Sequence, residues 1–293
     1  MQTRPFGRTG LHVSVLGLGA GQVGAESLDD AAAARLLNAA LDLGITLVDT
    51  ARGYGVSEDR IGRHLAHRRS EFVLSTKVGY GVEGVEDWTP ECIARGIDDA
   101  LRRLRTDVID IVHLHSCPLD TLRSAGVVEA LSRAREAGKL RVAAYSGENE
   151  PLDWALHAQV FGSIECSVNL FDQGGLTHAM PAAMHRGLGV IAKRPLGNAP
   201  WRFSHRPAGD YCEAYWVRQQ ALAYSHEPLP WDEYALRFTA FAPCVSSAIV
   251  GTSSIDHLRH NVDLVARGAL PDRLVAETRS RWNAVQSGWR GEL

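Results

Sequence analysis

Short apolar runs alternate along the chain with longer stretches in which apolar residues recur every three or four positions. The short runs are typical of strands buried in a parallel sheet, and the longer stretches are typical of amphipathic helices. The predicted strands cover residues 15–18, 46–49, 72–77, 109–115, 142–146, 164–167, 190–193 and 248–251. The predicted helices cover residues 29–42, 57–66, 90–104, 121–137, 152–159, 178–186, 231–241, 256–266 and 272–286.

Eight strand–helix units in 293 residues fit a closed α/β fold, the (β/α)8 TIM barrel. Residues 4–6 and 11–13 flank a glycine-containing turn, which predicts an N-terminal β-hairpin ahead of the first unit. Residues 272–286 follow the last unit and predict an extra C-terminal helix. We therefore expect residues 1–293 to form a single barrel domain.

One connection, residues 194–230, is much longer than the usual loop. It is either a surface insertion with its own small core or a lid over a ligand, and its length favours the lid. Trp201 in this segment is a candidate substrate contact, as are Tyr80 and Trp88 in the loop after the third barrel strand. The alternative for each of these aromatic residues is local packing.

Composition narrows the class of protein. Hydrophobic residues make up 45% of the chain and charged residues 22%, which indicates a soluble globular protein. A net charge of −3 without a basic block argues against nucleic-acid binding. Five scattered cysteines suggest free thiols in a reducing compartment, and no window approaches the ~18 apolar residues of a membrane span. We expect a cytoplasmic protein, a monomer or weak homo-oligomer, with no nucleic-acid or membrane partner.

Polar residues stand where successive predicted strands end. The second strand ends in Asp49, the third in Lys77 and the fourth in His115, and Tyr54 lies in the loop after Asp49. In a (β/α)8 barrel these carboxyl ends meet at one mouth, which carries the active site. Any one of these residues alone could be a solvated strand end, but together they indicate a catalytic cluster.

The residue types indicate acid–base chemistry. A lysine beside a tyrosine stabilises the phenolate and lowers the pKa of the phenol, and Asp49 can hold the Lys77 charge in a buried site. His115 can donate to a substrate oxygen or share a proton with Tyr54. A carbonyl that is protonated at oxygen needs a hydride at carbon, which calls for a nicotinamide cofactor. We expect no metal, because Lys77 would repel a cation bound by Asp49, His113 and His115.

Four motifs in this order resemble the aldo-keto reductase family. They are Asp-Thr-Ala at residues 49–51, Tyr-Gly-Val-Ser-Glu at 54–58, Ser-Thr-Lys at 75–77 and Leu-His at 114–115. The resemblance implies a barrel, NADPH bound extended across the mouth, and reduction of a small carbonyl or sugar substrate. It implies that Tyr54 is the general acid, that Lys77 and Asp49 tune it, and that His115 orients the carbonyl.

The resemblance also implies a set of cofactor-binding positions. They are Gly19, Ala20, Asp49, Ser146, Gly147, Glu165, Lys193, Arg194, Leu196, Gly251, Thr252, Ser253, His257 and Asn261. Three depart from the family pattern, since Gly147, Glu165 and Lys193 stand where asparagine, glutamine and an aromatic residue are usual. Our hypothesis is that Glu165 and Lys193 form an ion pair beneath the nicotinamide. Thr252 and Ser253 replace the usual basic residue, so NADPH is expected and NADH stays open.

Three other interpretations remain. Residues 19–24 match G-x-G-x-x-G, the dinucleotide motif of a doubly wound sheet, but that motif should open directly into a helix and the helical pattern starts only near residue 29. Some relatives of similar length are sugar dehydrogenases that work oxidatively. Others, such as potassium-channel β subunits, act mainly as regulators that sense the cofactor.

Overall fold

Eight parallel strands close into a barrel in the computed structural model, which describes residues 1–124, 126–225 and 228–292. An antiparallel hairpin precedes the barrel and consists of β1 (Thr3–Pro5) and β2 (His12–Ser14). The barrel strands are β3 (Leu16–Gly19), β4 (Leu47–Asp49), β5 (Val73–Val78), β6 (Ile109–His115), β7 (Leu140–Ser146), β8 (Ser163–Ser167), β9 (Gly189–Lys193) and β10 (Ser247–Gly251). Strands β3 to β10 pair in chain order and β10 pairs with β3, so the sheet has no free edge.

Helices surround the barrel. In chain order they are α1 (Asp30–Asp42), α2 (Ser57–Leu65), α3 (Pro90–Leu104), α4 (Leu119–Arg123), α5 (Gly126–Glu136), α6 (Asn149–His157), α7 (Gly174–Thr177), α8 (Ala179–Arg186), α9 (Glu213–Leu222), α10 (Trp231–Ala240), α11 (Ile255–Ala266) and α12 (Asp272–Val285). Side-chain caps begin several of them; Thr89, for example, accepts from the Cys92 backbone N–H ahead of Pro90. None of the described helices is long and apolar enough to cross a bilayer.

The hairpin packs on one end of the barrel interior. Phe6 and Val13 form a buried cluster with inward-facing strand residues such as Leu47, Ile111 and Ile191. A separate, larger apolar cluster fills the layer between the strands and the helices. Because apolar side chains fill the hairpin end, the polar side chains that end the strands are gathered at the opposite mouth.

The predicted (β/α)8 fold, hairpin and C-terminal helix are confirmed, and each predicted strand lies within two residues of an observed one. The single helix predicted over residues 121–137 is wrong, because the structure has α4 and α5 there. The Ser124 hydroxyl donates to the Thr121 carbonyl at 2.8 Å, which ends α4. Gly126 then passes so close to Pro90 that a Cβ would lie 3.1 Å from the proline ring.

The long connection 194–230 contains a helix, α9, that the sequence pattern did not predict. Tyr215 of α9 is buried, and the Trp216 indole N–H donates to the Phe203 carbonyl at 3.0 Å. Trp201 stacks on Trp231 with ring centroids 5.9 Å apart. Tyr215, Leu222 and Tyr224 belong to the main apolar cluster, so this segment packs on the barrel and the expectation of a separate small core is wrong.

Candidate active site

Polar side chains from five strands meet at the barrel mouth. Strand register places Asp49 beside Ser75, Lys77 beside His113, His115 beside Ser146, and Ser146 beside Glu165. Alternate residues of a strand share a face, so Ser75 and Lys77 point to the same side of the sheet, as do His113 and His115. The four predicted catalytic residues therefore converge, three from β4, β5 and β6 and Tyr54 from the loop after β4.

Lys77 is at the centre of this cluster. Its ammonium lies 2.5 Å from Asp49 Oδ2 and donates to the Thr50 carbonyl at 3.0 Å. It also lies 3.4 Å from Glu165 Oε2. Lys77 and Asp49 are each 1% exposed and Glu165 is 2% exposed, so these charges are removed from water. Burial lowers the pKa of Lys77, but the two carboxylates outweigh burial and raise it well above its usual value.

Tyr54 is held beside this ammonium by a tight loop. Its ring centroid lies 5.3 Å from Lys77 Nζ. The Tyr54 carbonyl accepts from Ser57 N at 3.1 Å and approaches Gly24 so closely that a Cβ there would lie 1.6 Å from the oxygen. Gly24 and the Tyr54 loop therefore fit together only because position 24 lacks a side chain.

The net pKa shift of Tyr54 is opposite to the predicted one. The Lys77 charge lowers the pKa of the phenol, as expected, but burial and the charges of Asp49 and Glu165 together outweigh it. The pKa of Tyr54 is raised to about 12. The phenol is therefore protonated at neutral pH, which is the state that a general acid needs.

His115 faces Tyr54 edge-on, with ring centroids 6.0 Å apart. Burial, followed by the Lys77 charge, lowers the pKa of His115 to about 3, so the imidazole is neutral. The Tyr80 hydroxyl lies 2.7 Å from His115 Nδ1. When Tyr80 donates this hydrogen bond, the ring proton stands on Nε2 and can be donated to a ligand. Trp88 packs against the Tyr80 ring, with centroids 6.0 Å apart.

The predicted ion pair between Glu165 and Lys193 is wrong. Lys193 Nζ lies 3.2 Å from Glu148 Oε1, and the same oxygen accepts from Ser167 N at 2.8 Å. Glu165 instead faces Lys77 across the barrel. The order of residues in the sequence cannot reveal that Lys193 pairs with Glu148 and that Glu165 pairs with Lys77. Glu148 lies in the loop after β7, and Lys77 is on β5.

Asp49, His113 and Glu165 place one potential ligand atom each within 4.8 Å of one another, a spacing that could hold a metal ion. The Lys77 ammonium lies 2.5 Å from one of these carboxylates and 3.4 Å from the other. It supplies the positive charge that a cation would bring and would repel a second cation at this distance.

The tips of β7 and β8 provide hydrogen-bonding groups for a ligand. Asn169 Nδ2 and Glu165 Oε2 are buried and have no hydrogen-bond partner among the described residues. Ser146 Oγ lies 3.3 Å from Glu165 Oε1, and Gly147 follows it against the Tyr145 hydroxyl. Buried polar atoms in native proteins are normally paired, so an amide-bearing ligand fits this position. The carboxamide of a nicotinamide has the donors and the acceptor that these residues lack.

The tips of β3 and β10 lie side by side on the other half of the mouth. Gly19 pairs with Gly251 and with Asp49, and Ala20 N donates to the Asp49 carbonyl at 2.7 Å. After Gly251, the Thr252 hydroxyl accepts from Ser254 N at 3.0 Å.

Ser254 then caps α11 by accepting from His257 N at 3.3 Å. Ser253 and His257 are exposed at this helix start, and Asn261 lies buried on the same helix. The first N–H groups of a 12-residue helix attract anions, so this corner fits a phosphate group.

The Arg194 side chain forms hydrogen bonds within the protein. Its guanidinium donates to the Glu292 carbonyl at 2.5 Å and to the Tyr211 hydroxyl. Asn149 exchanges two hydrogen bonds with the Gly291 backbone, at 2.9 and 3.0 Å. Leu196 packs partly buried against the main apolar cluster.

The sequence reasoning assigned no role to three residues of the site, Ser75, Glu148 and Asn169. Ser75 donates to Asp49 Oδ1 at 2.7 Å and so fixes the carboxylate from the side opposite Lys77. Its position two residues before Lys77 on the same strand was the available signal, since alternate residues share a face. Glu148, the partner of Lys193, carried no such signal because it lies beyond the strand end. Tyr80 was expected as a substrate contact, and the structure adds its hydrogen bond to His115.

We expect the buried histidine His113 to make stability depend on pH. Burial lowers its pKa to about 4 in the folded protein, against about 6.5 when unfolded. Its contribution to the free energy of unfolding is complete above pH 6.5. It is lost as the pH falls toward 4, because the histidine of the unfolded chain binds a proton at a higher pH than the buried histidine does. Replacing it, as His113→Asn, should flatten the curve of unfolding free energy against pH by about 1.4 kcal/mol per pH unit in this window.

Denaturant unfolding at several pH values between 4 and 7 measures this slope. Asp49, whose pKa burial and the Glu165 charge raise to about 7, acts in the opposite sense over the same window. The histidine contribution is therefore read from the difference between wild type and variant. Substituting the exposed His185 by asparagine is the matched control, and an equal flattening in that variant would contradict the assignment to His113.

A closed (β/α)8 barrel with this Tyr–Lys–Asp–His cluster at its mouth is typical of oxidoreductases that interconvert carbonyls and alcohols. The chain belongs to the Aldo/keto reductase family, whose sequence model matches residues 15–283. The predicted resemblance is thus confirmed.

Relatives and solved structures agree with this placement. The chain is 29% identical to the L-galactose dehydrogenase of Arabidopsis thaliana over 90% of this chain and 88% of that protein. It is 29% identical to the D-threo-aldose 1-dehydrogenase of a Pseudomonas species, over 88% and 91% of the two chains. An aldo-keto reductase from Bacillus halodurans in its holo form superimposes with a TM-score of 0.82 at 28% identity, covering 96% of each chain.

Proposed function

We propose that this protein is an NAD(P)(H)-dependent oxidoreductase that reduces an aldehyde or ketone to an alcohol, with Tyr54 as the general acid. The observation that carries the proposal is the approach of the Tyr54 ring to the buried Lys77 ammonium, 5.3 Å away, which Asp49 holds at 2.5 Å. A phenol beside a buried cation, next to a neutral imidazole, is arranged to give a proton to an oxygen.

Each residue has a distinct task in this proposal. Tyr54 gives its proton to the carbonyl oxygen, and the Lys77 ammonium stabilises the phenolate that remains. His115, with its proton on Nε2, donates a hydrogen bond that orients the same oxygen. The nicotinamide, when bound, supplies the hydride to the carbonyl carbon. Asp49 keeps Lys77 charged and in place, and Ser75 fixes Asp49.

The chain's own residues would hold the cofactor along the mouth. Ser146, Asn169 and Glu165 offer hydrogen-bonding groups to the carboxamide, and Gly19, Ala20 and Leu196 line the path toward the other end. Gly251, Thr252, Ser253, His257 and Asn261 are the proposed phosphate corner. Hydroxyl groups and a helix N-terminus can hold a 2′-phosphate, so NADPH is the proposed cofactor, with NADH as the alternative.

Oxidation of a sugar is the second candidate function. Its support is that the two relatives compared above are named L-galactose dehydrogenase and D-threo-aldose 1-dehydrogenase. The same residues serve both directions, because a tyrosine that donates a proton in reduction must accept one in oxidation. An aldose would then be the bound substrate.

A panel of aldehydes, ketones and aldoses, assayed with both cofactors in both directions, tests the proposal. We expect NADPH-dependent reduction of at least one aldehyde, with a higher kcat/KM than with NADH. Aldose oxidation at a higher kcat/KM than any reduction would favour the second function. Tight cofactor binding without turnover across the panel would contradict an enzyme and favour a cofactor-sensing regulator.

A further inference from the structure

Glu165 is a second carboxylate on the catalytic lysine. Its Oε2 lies 3.4 Å from Lys77 Nζ, while Asp49 Oδ2 lies 2.5 Å from the same atom. Glu165 comes from β8 and Asp49 from β4, so the lysine on β5 is contacted from two sides of the barrel. His113 Nδ1 lies 4.0 Å from the same Glu165 oxygen.

Neither packing nor hydrogen bonding requires a carboxylate at this position. Glu165 Oε2 has no hydrogen bond with good geometry among the described residues, although the side chain is 2% exposed. A buried carboxylate without full hydrogen bonding is destabilising, and a glutamine of the same shape would avoid that charge. Lys193 does not neutralise it by an ion pair, since Lys193 pairs with Glu148.

We propose that Glu165 is a positioning residue that shares the Lys77 ammonium with Asp49 and thereby sets how strongly the positive charge of Lys77 acts on Tyr54. The proposal rests on the function proposed above. The charges explain the effect: two carboxylates and one ammonium leave the cluster with a net charge of −1 beside the phenol. A negative cluster opposes the formation of a phenolate, and the uptake of one proton by the two carboxylates would relieve that opposition.

The polar and titratable groups that face the cluster come from six of the eight barrel strands and from two loops. They are Asp49 from β4, Ser75 and Lys77 from β5, His113 and His115 from β6, Ser146 from β7, Glu165 from β8, Lys193 from β9, and Tyr54 and Tyr80 from the loops. The two histidines are neutral at pH 7, because burial lowers the pKa of His113 to about 4 and of His115 to about 3. The two carboxylates, Asp49 and Glu165, are therefore the groups of the cluster that titrate near neutral pH.

The Lys77 ammonium does not stabilise the charges of Asp49 and Glu165 equally. Burial and the Glu165 charge raise the pKa of Asp49 to about 7. Burial would also raise the pKa of Glu165, but Lys77 and the other nearby groups outweigh it and bring the pKa to about 2. Because the two titrations are linked, the pair takes up one proton near neutral pH. That proton cancels the net negative charge beside Tyr54.

Carboxyl titration of the cofactor-free protein tests the proposal without any assay of turnover. Aspartate and glutamate side chains labelled with ¹³C at the carboxyl carbon are followed by NMR between pH 4 and 9. We expect one carboxyl of the wild-type protein to titrate near pH 7. In Glu165→Gln the Asp49 signal should titrate at least two pH units lower, because its like-charged neighbour is gone while Lys77 remains.

Two further variants make the test decisive. Glu148→Gln removes another buried carboxylate of the same mouth, one that contacts Lys193 rather than Lys77, and should leave the titration near pH 7 in place. Asp49→Asn should abolish that titration, which assigns the signal near pH 7 to Asp49. Glu165→Ala removes the same charge as Glu165→Gln and serves as the test if Glu165→Gln folds poorly. An Asp49 signal that stays near pH 7 without Glu165, or that moves equally in Glu148→Gln, would overturn the proposal.

The pH profile of kcat/KM for carbonyl reduction gives a second readout. The wild-type profile should bend near pH 7, and this bend should be absent in Glu165→Gln. A merely structural role for Glu165 would lower the rate at every pH and leave the bend where it is. If no carbonyl is turned over, the proposed function fails, whereas the NMR titration still decides whether Glu165 and Asp49 share Lys77.

Discussion

Replacing Tyr54 by phenylalanine should lower kcat/KM for carbonyl reduction by about 10²- to 10⁴-fold, the usual contribution of a general acid. The substitution removes one oxygen and leaves a ring that can stay where the tyrosine ring lies, 5.3 Å from Lys77. The loop backbone, held by Gly24 and Ser57, does not depend on the hydroxyl. Cofactor affinity should therefore change little, and steady-state kinetics with a fluorescence titration of the cofactor separates the two effects.

Tyr80→Phe is the matched control, because it removes the same atom from a neighbouring ring. The lost hydroxyl lies 2.7 Å from His115 Nδ1, so we expect a smaller loss, about tenfold, through a less well fixed imidazole. A Tyr54→Phe protein that kept a tenth or more of the wild-type kcat/KM would contradict the assignment of Tyr54 as the acid. Equal losses in both variants would contradict it as well.

The barrel could be predicted because local pattern and global fold agree. Strands buried on both faces read as short apolar runs, and each amphipathic helix between them must cover one face of the sheet. The split between α4 and α5 was missed because a helical pattern continues across residues 121–137, while the break is caused by a serine hydroxyl and by close contact of Gly126 with Pro90. Helix α9 was missed because its buried face is partly polar: Arg218 and Gln219 are buried beside Tyr215 and Leu222, so the apolar periodicity is weak.

The polar cluster at the barrel mouth could be predicted because parallel strands place their carboxyl ends at one mouth. Asp49 and His115 end β4 and β6 and Lys77 is the second-last residue of β5, so their proximity follows from the fold alone. The contact between Lys77 and Glu165 does not, since β5 and β8 are separated by two strands and the side chains meet across the barrel interior. The direction of the Tyr54 pKa shift was mispredicted mainly because the sequence does not show how deeply the phenol is buried; the charges of Asp49 and Glu165 add to the effect of burial.

Replacing Lys77 by methionine should damage both activity and stability. The ammonium contacts two carboxylates that are at most 2% exposed, and methionine leaves them facing each other without a cation. Breaking a buried ion pair by removing one partner typically costs about 3–5 kcal/mol. Activity should fall by at least ~100-fold, because the developing phenolate loses its stabilising charge. Denaturant unfolding and steady-state kinetics at pH 7 measure the two losses.

The pH dependence of the stability loss identifies its cause. Without Lys77 the pKa of Asp49, already raised to about 7 in the folded protein, rises further, and Glu165 loses the main charge that lowers its pKa to about 2. The folded state of the variant therefore binds protons more readily than that of the wild type. The lost stability should therefore be largest near pH 8 and shrink as the pH falls toward 4. Adding Asp49→Asn and Glu165→Gln to Lys77→Met removes both charges and should restore most of the stability but none of the activity. A Lys77→Met protein as stable as wild type at pH 8 would show that the ammonium does not hold the two carboxylates, and the proposed tuning of Tyr54 by this cluster would then fail.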